Sequence, residues 1–353
     1  MDRREFLGNN AALLALSCLS GSSCRRAKTK REVLYDLVRE VVTPDVHAVV
    51  QASRALRESV AALVAAPSPS GLQRARGACR SALPLWKRAH CFRNGPMVET
   101  NALLRATFWP ARPSAIEAAL AGPAPLDDEA IEALGADAKG LYALEYLLFP
   151  LELDEQRALA QLGGSERRRG LLDALARNVE AHANNAARAL GDGSAYAQRF
   201  AAGGQDSISR LVNQMISSVE TLAVSRLELV LGLAQSRLLK PAEVEGWPSG
   251  TSHLLALAEL SGVERLYGGG ERTGLADLVR AVAPAIDQRL EHSASAAVSA
   301  LRRLDAPLER VVVEKRALLA SALASTKALE LALKVDVASA LGVTLTFQTG
   351  DGD

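Results

Sequence analysis

Residues 140–149 read GLYALEYLLF, an apolar helix with one carboxylate set into it. The leucines recur at helical spacing along this stretch, which predicts a buried stripe. Tyr142 and Glu145 are three residues apart, so they share a second face of the helix, one turn from each other. A carboxylate in so apolar a segment is costly to bury without a partner, and that partner can be a metal ion, an arginine or a hydroxyl.

The composition of the whole chain favours helices throughout. The chain has 353 residues, a net charge of +1 and 23% charged residues, and it is 48% hydrophobic but only 4% aromatic. Leu, Ala, Arg and Glu dominate, and β-branched residues rarely cluster. Because the net charge is close to zero, the sequence shows no excess of positive charge that would indicate nucleic-acid binding. Beyond the N-terminus no segment reaches about 18 uninterrupted apolar residues, so no membrane-spanning helix is predicted.

The first thirty residues are interpreted as a targeting segment rather than as part of the folded domain. Residues 2–8 read DRREFLG, which is typical of a twin-arginine export signal, and an apolar core follows at 11–19. Cys18 and Cys24 each follow small residues and are the two candidates for lipid attachment. We therefore expect an exported protein, in the periplasm or held at the cell envelope by a lipid anchor.

Helical periodicity then divides the chain at Gly191-Asp192-Gly193 into two halves, residues 31–192 and 193–353. Long helices with short connections are typical of bundles. A kink is expected at Pro44, because proline lacks the N–H that a helix interior requires. The predicted helices are 32–66, 72–92, 114–121, 128–135, 137–149 and 165–190 in the first half, and 206–240, 251–267, 273–304 and 307–341 in the second.

Two further cysteines, Cys79 and Cys91, lie on one predicted helix. Twelve residues of helix span about 18 Å, far beyond the roughly 7 Å that a disulfide can bridge. The sequence therefore predicts two buried free thiols.

At residues 140–149 the sequence resembles the imelysin-like family, whose signature is Gly-x-His-x-x-Glu followed by an aromatic-Leu-Leu-aromatic run. Tyr142 stands where the family has its histidine. Four further elements, one before this stretch and three after it, occur in the family's order, so the resemblance runs from about residue 35 to the C-terminus. They are FRNGP (92–96) with Glu99 and Trp109-Pro110, then WPSGTS (247–252), LSGV (260–263), and LGVTLTF (341–347) with the closing DGD (351–353).

This resemblance implies an all-α fold of two packed helical bundles of the imelysin type. Some members of the family have been assigned to peptidases and others to iron uptake. It therefore implies an exported envelope protein with iron or zinc as possible cofactors and a metal ion or an envelope protein as the partner. The first hypothesis is a non-catalytic binding protein in iron or other metal acquisition, the second a metallopeptidase, and the third a degenerate member that presents a groove to a protein partner.

Four residues are candidate metal ligands, each with a structural alternative. Glu145 is a ligand or a buried acid paired with Arg93 or Arg88, and Tyr142 is a phenolate ligand or a hydrogen-bond donor to Glu145. His90 can supply a nitrogen ligand in place of the signature histidine, or it can interact with the C-terminus of its own helix. Glu99 is in the family's acidic position or is a surface carboxylate. The residues expected to shape the pocket are Arg93, Trp86 and Trp109.

The remaining histidines and the known catalytic motifs add no second candidate site. The sequence contains no His-Glu-x-x-His, Gly-x-Ser-x-Gly or phosphate loop. The other histidines lie on separate predicted helices without metal spacing, and each is interpreted as a surface or a satisfied residue; they are His47, His182, His253 and His292.

Overall fold

The computed structural model describes residues 28–99, 102–232, 243–270 and 273–346. Within these ranges the chain is helical and contains no strand, as the sequence predicted. The predicted export signal, with Cys18 and Cys24, lies outside the described residues, as do residues 347–353 of the closing motif. In the described part of the chain no helix is long and apolar enough to cross a membrane.

Nineteen α-helices are described, numbered in chain order. The first ten are α1 (Lys30–Leu37), α2 (Thr43–Ala65), α3 (Pro69–Ala89), α4 (Pro96–Glu99), α5 (Ala102–Thr107), α6 (Pro113–Ala121), α7 (Asp128–Ala133), α8 (Gly140–Leu148), α9 (Glu155–Gly164) and α10 (Glu166–Leu190). The others are α11 (Ala195–Ala202), α12 (Gln205–Thr221), α13 (Leu229–Leu231), α14 (Ser252–Gly268), α15 (Leu275–Val282), α16 (Pro284–Arg302), α17 (Leu308–Glu314), α18 (Arg316–Leu331) and α19 (Ala338–Ala340).

The expected kink at Pro44 takes the form of a π-helical turn. Residues Val38–Val42 are π-helical and join α1 to α2 without leaving helical backbone angles. A proline clashes with the carbonyl four residues before it, here that of Glu40, so a widened turn at this point relieves the contact. Two more π-helical turns occur at Leu222–Glu228 and Ala332–Val337.

Two helices predicted as continuous are broken. The stretch 273–304 divides at Ala283, whose backbone leaves the helical region, and Pro284 begins the next helix. Proline is favoured in the first turn of a helix but not in its interior, so the break belongs there. The stretch 307–341 divides at Lys315, where the backbone has φ −138° and ψ 40°. Of the predicted helix 206–240, the part beyond residue 232 lies outside the described residues.

One hydrophobic core runs through both halves of the chain. Helices α2, α3 and α10 pack side by side, α8 rests against α3 and α10, and α14 crosses onto α3 from the second half. Helix α16 packs against α18. The division into two bundles at residue 192 stays a prediction. The predicted free thiols are confirmed, since Cys79 and Cys91 are both buried and unpaired.

The contact of α14 with α3 depends on Gly262, within the LSGV element. A Cβ atom at this position would lie 2.6 Å from the carbonyl oxygen of Arg88 and 2.6 Å from Sγ of Cys91. A backbone oxygen cannot move aside without displacing the helix, so only glycine permits this approach.

We expect Gly262→Ala to lower the unfolding free energy by about 1–3 kcal/mol, the usual cost of overpacking a core. Gly77→Ala is the matched control, because it lies within α3 and its Cβ would meet nothing within 4 Å. The control should raise stability by about 0.5–1 kcal/mol, since alanine is the better helix former. Urea unfolding of both variants tests this; equal effects would show that the crossing does not need glycine.

Candidate functional site

Helix α8 places Glu145 inside the protein, with only 2% of the residue exposed. The helix begins at Gly140, where φ is +77° and a Cβ would lie 2.5 Å from the carbonyl oxygen of Ala106. The glycine of the signature is therefore required both by its backbone angle and by the close approach of α5. Leu141, Leu144 and Leu148 fix the helix in the core, as the buried stripe predicted.

The partner of Glu145 is a hydroxyl together with a backbone amide. Ser249 donates its hydroxyl and its N–H, the latter at 3.2 Å, to the same carboxylate oxygen of Glu145. Neither arginine of the alternative interpretation pairs with Glu145. Arg88 instead contacts Asp45 at 3.0 Å, and Arg93 is exposed.

Ser249 reaches Glu145 because the WPSGTS element folds back on itself. The N–H of Thr251 donates to the carbonyl of Gly246 at 2.9 Å, and the hydroxyls of Ser249 and Thr251 are 2.8 Å apart. Gly246 and Gly250 both have positive φ, of 77° and 71°, which closes the loop. Two sequence elements about a hundred residues apart therefore meet at one hydrogen bond.

Tyr142 contacts a different carboxylate from the one expected. Its buried hydroxyl donates to Glu245, at the head of the same loop, and not to Glu145. Nζ of Lys87 lies 2.6 Å from the same oxygen of Glu245. Arg226 pairs with the other oxygen of Glu245, and its Nε lies 2.6 Å from Oε2 of Glu259.

We call this set the buried ion-pair network; its members are Lys87, Tyr142, Arg226, Glu245 and Glu259. They come from α3, α8, a π-helical turn, a loop and α14. Sequence reasoning missed four of them, Lys87, Arg226, Glu245 and Glu259, because their common position depends on packing between elements far apart in the chain.

Burial controls the electrostatics of this region. It raises the pKa of Glu145 to about 7, against the opposing effect of the Ser249 hydrogen bonds. It raises the pKa of Tyr142 well above its ordinary value, so the phenol stays protonated and donates. Burial also lowers the pKa of Lys87, and the charge of Arg226 acts in the same direction. The paired carboxylate of Glu245 is what makes a buried ammonium tenable.

The other predicted site residues lie around this network rather than in it. Nε2 of His90 is 2.7 Å from the hydroxyl of Thr107, and burial together with Lys87 holds the pKa of His90 well below its usual value. Glu99 is exposed on α4. Trp86 is buried and its indole N–H donates to Ser53 at 3.0 Å. Trp109 is half-buried and lines a cavity of about 10 Å³ next to Arg226 and Glu245.

The remaining histidines lie on separate elements, and of these Nδ1 of His253 is buried without a hydrogen-bond partner among the described residues, unlike the satisfied residue expected there. His182 lies 3.1 Å from a carboxylate oxygen of Glu132, whereas His47 and His292 are exposed and His253 is half-buried.

Comparison with known proteins identifies the fold. The family model described as Imelysin (Peptidase_M75) matches residues 42–336. The chain belongs to the imelysin family.

Two solved structures share the imelysin fold. One is described as a putative iron-regulated protein A precursor from Parabacteroides distasonis ATCC 8503; it is 15% identical, has a TM-score of 0.73, and the match covers 88% of this chain and 95% of that one. The other is an imelysin-like protein from Psychrobacter arcticum 273-4. It is 17% identical, has a TM-score of 0.69, and the match covers 91% of this chain and 98% of that one. At these identities the likeness establishes the fold alone. No curated protein matches the chain.

The imelysin signature of this chain does not fit a metal ion in the predicted way. In the part of the chain that the structure describes, no three His, Cys, Asp or Glu side chains form a group that could hold one. Lys87 and Arg226 already contact the two carboxylate oxygens of Glu245, and the positive charge of Arg226 would repel a metal cation placed against them. Tyr142 donates a proton to that carboxylate, so its oxygen does not present the charge that a metal requires.

We expect the unfolding free energy to report the ionisation of Glu145. Its pKa rises on folding from an ordinary 4.5 to about 7, so the folded state resists an ionisation that the unfolded chain undergoes freely. The contribution of Glu145 to the unfolding free energy is fully present below pH 4.5 and is lost as the pH rises through 7. The total loss is roughly 3 kcal/mol.

The measurement is urea unfolding from pH 4 to pH 8 for the wild type and for Glu145→Gln, which has no ionisable group at this position. The variant should lose the fall in stability over that interval. Glu58→Gln, an exposed carboxylate on α2, should keep it. Identical pH profiles for all three chains would contradict the assigned burial.

Proposed function

We propose that this imelysin is an exported protein of the cell envelope that acts by binding rather than by peptide hydrolysis, in iron or other metal acquisition. The observation that carries the proposal is the set of contacts that the buried carboxylate of Glu245 makes. Its carboxylate accepts from Tyr142 and is neutralised by Lys87 and Arg226. Tyr142, one of the candidate ligands, is therefore engaged by a carboxylate that the chain's own cations already pair with.

A metallopeptidase needs a metal with an open position for water and usually three protein ligands. Here Glu145 is engaged by Ser249, and His90 is engaged by Thr107. Glu99 is exposed on α4, whereas the other two are buried or nearly so. This supports a structural role for the signature, in which it fastens the 243–251 loop to α8 and α3.

The link to metal acquisition is supported by the relative from Parabacteroides distasonis, which is described as iron-regulated. In this proposal the binding partner is another envelope protein, or iron or zinc held away from the buried ion-pair network. Export is supported by the DRREFLG sequence, and attachment to the membrane would use Cys18 or Cys24.

The alternative is a metallopeptidase of the imelysin type. It is favoured by one observation, that the matching family model carries a peptidase designation. The two functions make opposite predictions about Glu145 and Tyr142.

We expect protein stripped of metal to recover no stoichiometric iron or zinc through Glu145, and to release no peptides from an unfolded protein substrate. Calorimetry and a peptide-release assay on the wild type and Glu145→Ala measure both. Tyr142→Phe should lower the unfolding free energy by about 1–3 kcal/mol, because Glu245 loses a buried donor. It should leave both assays unchanged.

A wild type that takes up one metal ion, or hydrolyses peptides, and loses that property in Glu145→Ala would favour the metallopeptidase. Tyr142→His serves as the comparison, since it restores the family's residue while leaving Lys87 and Arg226 in place. It should still bind no metal if those two cations are what excludes it.

We expect residues 1–30 fused to a reporter to direct its export in the source organism. Replacing both Arg3 and Arg4 by lysine should abolish export, because the paired arginines are what the predicted signal presents. Cell fractionation and lipid labelling of Cys18→Ala and Cys24→Ala then identify the attachment site. Export that persists without the arginines would remove this part of the proposal.

A further inference from the structure

The second half of the chain contains a cavity of about 280 Å³ between α12, α14, α16 and α18. It is distinct from the buried ion-pair network, which α14 contacts through Glu259 on another turn. The floor of the cavity is apolar and fully buried, whereas α16 contributes polar residues at its mouth. The floor is formed by Met215, Val263, Leu290, Val298, Leu329 and Leu333.

Short side chains on α16 leave this volume open. Ala294, Ser295 and Ser299 line the cavity where larger residues would have filled it. At the end of α14, a Cβ on Gly268 would meet nothing within 4 Å. Folded interiors are close-packed, so an apolar space of this size with an open mouth is typical of a ligand site rather than of a packing defect.

Two opposite charges at the cavity are close enough to act on each other but make no direct contact. Neither Glu264 nor Arg302 makes a hydrogen bond or an ion pair with any residue that the structure describes, and they do not pair with each other. Glu264 is half-buried, and burial raises its pKa while Arg302 acts against that rise. The other carboxylate at the mouth, Glu291, is already 3.3 Å from Arg280. A half-buried acid without a direct contact indicates a site for a cationic group.

We propose that this cavity binds an α-amino acid with a large apolar side chain, either free or as the N-terminal residue of a peptide. The side chain enters the apolar floor, the ammonium group contacts Glu264, and Arg302 contacts the carboxylate or, in a peptide, the first carbonyl. Sites for drug-sized ligands measure about 300–1,000 Å³, so a volume of 280 Å³ suits a molecule of one residue.

The test is calorimetric titration of the purified chain with L-phenylalanine. Three analogues remove one feature each: N-acetylphenylalanine lacks the ammonium group, phenylethylamine lacks the carboxylate, and L-alanine lacks the large side chain. We expect each to bind at least tenfold more weakly. The tripeptide Phe-Gly-Gly separates the two sources: equal or tighter binding assigns a peptide N-terminus, and binding of phenylalanine alone assigns the free amino acid.

Three variants locate the site. Glu264→Gln and Arg302→Gln keep the shape of the wall, and each should weaken phenylalanine binding about tenfold. Arg303→Gln, whose side chain points to Ser321 at 3.5 Å, is the matched control and should bind as the wild type does. Ala294→Phe fills the cavity and should abolish binding while keeping or raising the melting temperature. If Ala294→Phe misfolds, the two glutamine variants still decide whether the cavity is the binding site.

The proposal is overturned if no probe binds at millimolar concentration. It is also overturned if N-acetylphenylalanine binds as tightly as phenylalanine, or if binding survives Glu264→Gln unchanged.

Discussion

The structure depends on how the carboxylate of Glu245 is satisfied. It is buried, it accepts from the phenol of Tyr142 and the amine of Lys87, and it forms an ion pair with the guanidinium of Arg226. Breaking such a buried ion pair leaves an uncompensated charge and costs about 3–5 kcal/mol, so the partners hold one another in place. Because they come from both halves of the chain, their pairing also holds α3 and α8 against the 243–251 loop and α14.

Glycines set the distances at which this network can form. Gly262 lets α14 reach the backbone of α3, and Gly140 lets α8 begin against α5. Gly246 closes the loop that carries Glu245 and Ser249 to α8. The polar contacts are thus accompanied by close approaches, because a Cβ at any of the three would lie 2.5–2.6 Å from a neighbouring atom.

Tyr142, at the position where the signature predicts a histidine, is consistent with this arrangement. A neutral imidazole offers a lone pair to a metal, whereas a protonated phenol offers a proton to a carboxylate. Burial raises the pKa of Tyr142, which keeps that proton in place, and Lys87 and Arg226 supply the positive charge nearby. The result is a polar centre made entirely of protein groups, in a family whose matching model carries a peptidase designation.

Helical periodicity and the five family elements were enough to determine the all-α class, the imelysin fold, the free thiols and the burial of Glu145 in α8. The helices, the thiols and the buried acid follow from local spacing and composition, whereas the imelysin fold followed from the resemblance that the five elements carry. Only the tertiary structure decided that Glu145 contacts Ser249, that Tyr142 contacts Glu245, and that Glu264 and Arg302 face one cavity unpaired. Those pairings join residues up to about a hundred positions apart, and which ones meet is set by how the helices pack, which no local pattern encodes.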